Sequence, residues 1–407
     1  MFLILAAFLA PMPVRALEKA PPKDHRRVIL DRLGEILVKE GFALGVDFRR
    51  WSDHVDKYRD RIRAAQDEQE FLSVVNQALA EFGISHLKLK TKRQMRRKRQ
   101  GTKYGIGLFP MPQEKGLLVT WVVPDSPADQ AGLRPGDLIL SVDHQDVDDP
   151  ADVLTRTGKN REFMWMHREK PRQAEIRDAL FRQEELEPAR ILNGDLLLIR
   201  IPSFDSGIYH PKKVAKLFES ADTARVLMLD MRSNPGGDID HLKHLLSLLF
   251  PSGTPLFHEI RAHHLNEAGL KPRQVPEDVS GFLKQRFSRD QPLGRLHKAG
   301  RYRSYPSVPV VVLVDHWTAS SAEIFAAVVQ EHQRGVVIGS PTQGLVLPSM
   351  TFSLPHGFRV QVPVSDLVTF GGRRLENDPV IPDHPLPPQK TANEEQLILA
   401  VLEYLDL

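Results

Sequence analysis

The chain has 407 residues, of which 41% are hydrophobic and 26% charged, and this composition is typical of globular proteins of one to three domains rather than of disordered or fibrous ones. The absence of cysteine excludes disulfides, cysteine nucleophiles and thiolate metal sites. The net charge of +3 arises locally, because removing the nine basic residues between Lys88 and Lys103 from the total of 55 leaves 46 against 52 acidic ones.

The first segment resembles an export signal. Residues 2–9 form an apolar run that is too short to span a bilayer, and Val14-Arg15-Ala16 resembles a signal-peptidase site. We therefore predict a signal peptide over residues 1–16, the alternative being a buried terminal helix. Because no later stretch reaches the roughly 18 apolar residues of a membrane span, we expect a protein that is periplasmic or secreted and not transmembrane.

Residues 24–90 are predicted to form a helical region. Apolar residues recur at spacings of mostly three and four, at Val28, Leu30, Leu33, Ile36 and Leu37 and again at Phe71, Val74, Val75, Ala78 and Leu79. The segment Gly41–Gly45 interrupts the first helix. The region ends at Gly83-Ile-Ser-His86, followed by the alternating residues 87–90.

The basic run that follows has two interpretations. Residues 91–103 are predicted to be an exposed linker, and the run from Lys88 to Lys103 could alternatively bind an anionic lipid, lipopolysaccharide or an acidic protein. No aromatic residue is interleaved in it, so binding of single-stranded nucleic acid is not expected. We predict no nucleic-acid partner.

Residues 104–182 form a second unit that resembles a PDZ domain. The strand Leu117–Val123, the loop Gly132–Asp137 and the strand Leu138–Val142 are predicted in order. The segment 126–140 matches the helix, turn and strand of bacterial members, and Tyr104, Gly105, Ile106, Gly107 and Leu108 match the loop whose amides bind a peptide carboxylate. The resemblance implies peptide binding by the loop and by strand addition at the neighbouring strand edge, the alternative being a packed spacer.

From residue 190 to 407 the pattern predicts an α/β core. Leu196–Ile201, Val226–Met231 and Val308–Val314 are buried strands by composition, and Leu242–Leu249 and Ala322–Gln330 are helices set among them. This alternation favours a largely parallel sheet. Residues 261–304 have no clear period and are predicted to be an insertion or lid.

Five stretches of this core occur in the order found in a peptidase family. They are Leu229–Gly237, Val314–Ile324, Gly339–Gly344, Phe358–Val362 and Leu375–Asp383. Together they resemble the carboxy-terminal processing and tricorn-type serine peptidases. The resemblance implies a multidomain α+β protein: an N-terminal helical region, a β-rich PDZ domain and an α/β peptidase core of the crotonase-like ClpP and tricorn-core type.

The resemblance also implies the positions of the catalytic groups. Ser320 falls at the nucleophile, at a helix N-terminus that favours a developing anion, and the amide of Ser321 with Gly236 or Gly237 would form the oxyanion hole. The alternative is that the serines merely cap the helix. The lysine used as base in one branch of the family is replaced here by Leu345.

The tricorn-like branch supplies another base. Its histidine corresponds to His86, and its orienting glutamate to Glu376. Histidine titrates near neutrality, and a carboxylate can hold its tautomer. The alternatives are a core or surface histidine and a solvated loop acid.

Other chemistries are disfavoured by spacing. His258 and His263 are five apart, so on one helix they would point about 140° apart and could not share a metal; His241 and His244 lack an evident third ligand. Residues 317–321 lack the glycines of a hydrolase nucleophile elbow. We therefore predict an exported serine endopeptidase acting on polypeptides, with no cofactor or metal, whose PDZ loop holds a substrate C-terminus or gates the site. The alternative is an inactive scaffold that binds peptides through its PDZ unit.

Overall fold

A computed structural model of the chain describes residues 21–92, 94, 102–155, 157–182, 185–192, 195–270, 274–276 and 278–405. The predicted signal peptide over 1–16 and most of the basic linker over 91–103 lie outside the described residues. Among the described residues, no helix combines the length and the apolar character that a bilayer span requires.

The N-terminal region consists of three helices: α1 Lys23–Glu40, α2 Trp51–Ala64 and α3 Glu68–Ala80. The helix α3 begins where the Asp67 side chain accepts a hydrogen bond from the Glu70 amide. The buried stripe of α1 contains Ile29, Leu33, Ile36 and Leu37, whereas Val28, which the predicted stripe included, is 48% exposed. Ile29 occupies the buried position instead. Residues 28 and 29 point about 100° apart around the helix, so the two side chains do not face the core together.

This helical region is packed directly on the C-terminal α/β core. The strand β1 (Lys88–Thr91) follows α3 and pairs antiparallel with residues 358–361. The helices bury their apolar faces against Leu354, Phe358, Val360 and Val362 in one hydrophobic cluster. Strand β1, which follows the N-terminal helices, therefore belongs to the same sheet as residues 349–363 of the C-terminal part of the chain.

The PDZ-like unit is a sheet with two short helices. Its strands are β2 Thr102–Gly105, β3 Leu108–Gln113, β4 Gly116–Val122, β5 Leu138–Val142, β6 Gln145–Asp146, β7 Asn160–His167, β8 Lys170–Arg177 and β9 Ala179–Arg182, and its helices are α4 Pro127–Gln130 and α5 Pro150–Leu154. The main sheet has the order β3-β4-β5-β7-β8, with β6 paired to β5, and β2 pairs with β9. Strand β3 is therefore an edge strand.

The remaining elements build the core. The strands are β10 Arg190–Leu192, β11 Leu196–Arg200, β12 Val226–Asp230, β13 Pro255–Ile260, β14 Arg295–Lys298, β15 Val310–Val314, β16 Val336–Gly339, β17 Ser349–Ser353, β18 Phe358–Pro363, β19 Asp366–Thr369 and β20 His384–Pro385. The helices are α6 Pro211–Leu217, α7 Ile239–Leu249, α8 Ala262–Glu267, α9 Val279–Ser288, α10 Ser321–Glu331, α11 Pro388–Ala392 and α12 Glu394–Tyr404.

The main core sheet has the order β10-β11-β12-β15-β16-β20, and every pair except β10–β11 is parallel. Strands β11, β12 and β15 are buried at every position, because both faces of the sheet are covered. Leu197 and Ile199 pack on the side of α7 and α10, and Leu196 and Leu198 pack on the side of α12. The predicted parallel α/β core is confirmed.

The segment predicted to be an insertion or lid over 261–304 has an ordered core of its own. Strand β13 pairs with β14 on one side and β19 on the other. Leu265 of α8 and Leu283 of α9 are buried in a cluster with Leu44 of the N-terminal region. In the described part of this segment, α8 and α9 therefore pack into a hydrophobic cluster with the N-terminal region.

Candidate active site

Ser320 occupies a strained turn between β15 and α10. Its backbone has φ 58° and ψ −125°, which is uncommon for a residue other than glycine. Its N–H donates to the Glu323 carboxylate at 2.9 Å, and the preceding amide of Ala319 donates to the Asn234 carbonyl at 2.9 Å. Backbone strain of this kind persists where surrounding contacts fix it, and it is concentrated at functional sites.

Glu323 connects the turn of Ser320 to the segment that contains Leu345. It is fully buried, and its carboxylate also accepts from the amides of Gly344 and Leu345 at 2.6 and 2.9 Å and from the Thr342 hydroxyl at 2.5 Å. Burial raises the pKa of Glu323, although these hydrogen bonds oppose the effect. Position 345 is thus held close to the turn of Ser320, but leucine has no group that could accept a proton.

Gly236 and Gly237 lie directly against the turn of Ser320 and Ser321. A Cβ atom on Gly236 would lie 2.5 Å from the Cβ of Ser320 and 2.9 Å from the Ser321 nitrogen, so no side chain fits there. The amide of Gly236 donates to Asn234 Oδ1 at 2.8 Å. Within the described part of the chain, the amides of Gly237 and Ser321 donate no hydrogen bond.

This pattern distinguishes between Gly236 and Gly237, the two alternatives predicted as an oxyanion donor beside Ser321. Because the N–H of Gly236 is already used by Asn234, Gly237 and Ser321 are the amides that could bind an oxyanion. Gly236 instead provides the room that lets the two backbones approach.

Glu376 is connected to His86 by hydrogen bonds through Ser85, a residue whose role the sequence does not indicate. Glu376 is 3% exposed; its Oε1 accepts from the Ser85 amide at 2.6 Å and its Oε2 from the Ser85 hydroxyl at 2.9 Å. The Val346 amide donates to the same Oε2 at 2.8 Å. Ser85 Oγ lies 2.7 Å from His86 Nδ1.

These contacts assign the tautomer of His86. A carboxylate only accepts hydrogen bonds, so the single hydroxyl proton of Ser85 is donated to Glu376. Ser85 Oγ must then accept from Nδ1–H of His86. In the neutral ring this leaves the lone pair on Nε2, the nitrogen that can act as a base.

A cavity of about 560 Å³ brings these groups together. His86, Gly236, Gly237, Ser320 and Ser321 all line it, so five of the six residues predicted for the catalytic machinery share one space. Glu376 is buried behind the cavity wall rather than in it. The rest of the lining includes apolar Ile239, Val346, Leu347, Pro348 and Leu367 and polar Lys90, Asp205, Asp238, Ser349, Thr351 and Gln361, with Pro235 completing it.

The predicted peptide-binding loop turns its carbonyls inward. The Ile106 carbonyl accepts from the Ala128 amide at 2.9 Å, and the Gly107 carbonyl accepts from the Val123 amide at 2.8 Å. In a trans peptide the C=O and the next N–H point in opposite directions. The amides of Gly107 and Leu108 therefore point away from these partners, and that of Leu108 faces the open edge of β3.

Prolines interrupt the rest of that edge. Val119 is bonded to residues 136 and 137 through both its amide and its carbonyl, so its partner Pro110 occupies an outward-facing position of β3, as does Pro112 two residues later. Proline has no N–H to offer an added strand. Of the outward positions 108, 110 and 112, only Leu108 carries a donor.

Two aromatic contacts join the outer face of the PDZ sheet to the core. Phe109 of β3 packs edge-on against Trp317, three residues before Ser320, with ring centroids 5.5 Å apart. Trp121 of β4 lies under the Arg200 guanidinium at 3.6 Å. The same Arg200 also interacts with Asp230. Burial opposes ionisation of the Asp230 carboxylate, but the charges of Arg232 and Arg200 hold its pKa well below its usual range.

The histidines considered above as metal ligands lie on different elements or are close to protein oxygen atoms. His258 lies on strand β13 and is 5% exposed, so it shares no helix with His263. His241 Nδ1 is 2.8 Å from the Phe204 carbonyl, and His244 Nδ1 is 2.7 Å from the Tyr209 hydroxyl. One group of potential ligands does occur in the described chain, His263, His264 and Glu267 of α8, at the surface.

Comparison with known proteins agrees with this architecture. Residues 195–386 match the model of peptidase family S41, and residues 118–155 match that of the PDZ domain. The C-terminal part of the chain is thus similar to the core of peptidase family S41, and the preceding unit is similar to a PDZ domain. The resemblance to carboxy-terminal processing peptidases is confirmed.

Individual relatives are distant. The chain is 25% identical over 318 residues to a chloroplastic carboxyl-terminal-processing peptidase 2 of Arabidopsis thaliana, covering 73% of this chain and 56% of the relative. It is 22% identical to a probable CtpA-like serine protease of Staphylococcus epidermidis, covering 69% and 52%. The chain spans about half the length of these curated relatives.

Solved structures share the fold. The photosystem II D1 C-terminal processing protease aligns over 91% of this chain and 96% of its own, with a TM-score of 0.56 and 19% identity. Mature CPAF aligns over 94% and 96%, with a TM-score of 0.59 and 15% identity.

Proposed function

We propose that this chain is an exported serine endopeptidase that cleaves polypeptides with Ser320 as nucleophile, His86 as general base and Glu376 as the acid that orients His86 through Ser85. The observation that carries the proposal is the hydrogen-bonded series from Glu376 through Ser85 to His86, which leads into the cavity shared with Ser320.

The mechanism follows from this arrangement. Nε2 of His86 takes the hydroxyl proton as Ser320 Oγ attacks the peptide carbonyl carbon. The amides of Gly237 and Ser321 bind the developing oxyanion, aided by the N-terminal dipole of α10. The protonated imidazole then donates its proton to the leaving amine. In the second half of the reaction, His86 takes a proton from water, whose oxygen attacks the acyl carbon, and returns the proton to Ser320 Oγ as the ester bond breaks.

Regulation is proposed to pass through the PDZ domain. A substrate C-terminus would bind at the amides of Gly107 and Leu108, on the strand whose next residue, Phe109, contacts Trp317 in the nucleophile loop. This contact gives peptide binding a direct physical route to the catalytic turn. Export rests on the apolar segment 2–9 and the small residues before position 17.

The test is reaction with a fluorophosphonate probe. The wild-type protein should be labelled, the Ser320→Ala variant should not be, and His86→Ala should be labelled at least about 100-fold more slowly, because a general base contributes on that order. Cleavage of an unfolded polypeptide should be lost in the same variants. Folding of each variant is checked by circular dichroism.

The alternative, a peptide-binding scaffold, is motivated by Leu345 in place of the family lysine. It predicts a folded wild-type protein that neither reacts with the probe nor cleaves, but binds C-terminal peptides through residues 104–108. Equal labelling of wild type and His86→Ala would contradict the proposed base without supporting the scaffold.

A further inference from the structure

The three-stranded sheet β1-β18-β17 presents two different faces. On β1, Leu89 and Thr91 are 1% and 8% exposed, and Leu89 packs in the cluster with the N-terminal helices. Because successive side chains of a strand alternate, Lys88 and Lys90 lie on the opposite face. The same alternation on β18 places Arg359 and Gln361 there. This face is polar, and its charges on these strands are cationic.

One of these cations enters the catalytic cavity. Lys90 lines the cavity that holds Ser320, and its ammonium donates to Gln361 Oε1. Gln361 Nε2 in turn donates to Ser349 Oγ at 2.6 Å. The three side chains lie on the three neighbouring strands and all line the cavity, so the hydrogen bonds hold the Lys90 chain along the cavity wall.

The charges that line the cavity are distributed unevenly. Apart from His86, its titratable lining residues are Lys90 on this sheet and Asp205 and Asp238. The two aspartates lie beside the glycine turn, because Phe204 is bonded to residues 236–238. A polypeptide in the cavity would meet a cation at the sheet and carboxylates at the glycine turn. Such a site discriminates between substrates of different charge.

We propose, given the peptidase function above, that Lys90 is a specificity-determining residue that binds a carboxylate of the substrate polypeptide, with Gln361 fixing its position. An ammonium has three N–H groups, so it can bind a carboxylate while it donates to Gln361. The carboxylate belongs to an acidic side chain or to the C-terminus of the polypeptide, and both sources share this chemistry.

The test is peptide binding to the full chain carrying Ser320→Ala, which does not depend on catalysis. Fluorescence anisotropy is measured for a peptide series with Glu, Gln or Lys scanned through each position, each peptide made with a free and an amidated C-terminus. One position or the free terminus should bind about fivefold more tightly when it is anionic, as expected for a partly exposed ion pair. Lys90→Gln should remove the preference, Lys90→Arg should retain it, and Lys90→Glu should favour the lysine peptide.

Lys88→Gln is the matched control. Lys88 is exposed on the same face of the same strand but does not line the cavity, so this variant should keep the preference of its parent. The preference should also weaken as salt is raised. If Glu and Gln peptides bind equally with either terminus, or if Lys88→Gln and Lys90→Gln act alike, the inference is wrong. Probe labelling of Ser320 in the otherwise wild-type Lys90→Gln protein reports separately on the proposed function.

Discussion

The geometry of single residues sets the chemistry of this site. Two of the residues proposed to react, Ser320 and His86, both have φ 58°. Ser320 is hydrogen-bonded to the buried Glu323, and His86 is hydrogen-bonded to Ser85, which in turn donates to the buried Glu376. Ser85 is the residue whose role the sequence did not indicate. It lies beside His86 in the chain, and a serine in that position has no distinguishing pattern until the partner carboxylate is brought against it.

Replacing Ser85 tests its positioning role. In Ser85→Ala the Nδ1–H of His86 loses its acceptor, so the productive tautomer is no longer fixed, and we expect probe labelling of Ser320 to slow by about 10- to 100-fold. Ser85→Thr keeps a hydroxyl and should retain most of the rate. The dependence of labelling rate on pH should shift in Ser85→Ala, which a merely structural loss would not cause. Unchanged rate and pH profile would argue against a role for Ser85.

Replacing Gly236 tests the close approach of the two backbones. The Cβ atom of Gly236→Ala would overlap Ser320 and the Ala319 carbonyl, and φ at this position is +84°, so labelling should be abolished and stability reduced by about 1–3 kcal/mol. Gly253→Ala is the matched control, because Gly253 has φ +88° with no atom near its missing Cβ. It carries the backbone strain without the collision. If both variants label normally, the approach is not required.

At the scale of elements, the sequence predicted what depends on local pattern. Strands β11, β12 and β15 were evident because a strand covered on both faces is a continuous apolar run, and α7 and α10 because they follow such runs with a helical period. The prolines of β3 were visible, but their consequence was not. Whether a proline faces a neighbouring strand or the open edge depends on register, which the bulge after Phe109 alters.

That register predicts short peptide recognition by the PDZ domain. With no donor at Pro110 or Pro112, a C-terminal peptide should gain little affinity when it is lengthened from about three to six residues. Pro110→Ala restores one outward N–H and should make the longer peptide bind about fivefold more tightly, the value of one hydrogen bond. Fluorescence anisotropy with both peptides measures this. A length-dependent affinity in the wild type would mean that the peptide binds elsewhere.

At the scale of the whole molecule, the proposed catalytic groups come from regions that local sequence cannot relate. Their order along the chain was recognisable by resemblance, but they are brought together by long-range contacts: β1 pairs with β18, and Glu376 bonds to Ser85 and to Val346. Asn377 makes two further long-range hydrogen bonds. Its backbone N–H donates to the Gly344 carbonyl at 2.8 Å, and its side-chain Nδ2–H donates to the Gly83 carbonyl at 3.2 Å. Long-range pairing of this kind leaves no local pattern.

The contact of Phe109 with Trp317 predicts coupling between the PDZ domain and the proposed nucleophile, Ser320. A peptide that binds at Leu108 should change the rate of probe labelling of Ser320 in the wild type. In Phe109→Ala the peptide should still bind but leave the labelling rate unchanged, because the ring that transmits the displacement is gone. Met164→Ala, an exposed position on β7 of the same sheet, should behave like the wild type. Coupling that survives in Phe109→Ala would require another route.

The pairing of Ser85 with Glu376, 291 positions apart in the chain, has a consequence for biosynthesis. A ribosome completes Ser320 before it reaches Glu376, so in the emerging polypeptide His86 lacks the carboxylate that is proposed to orient it. Full reactivity is therefore reached only after residue 376 has been made and has paired with Ser85. Under the proposed mechanism, a product that ends before residue 376 reacts more slowly than the full chain.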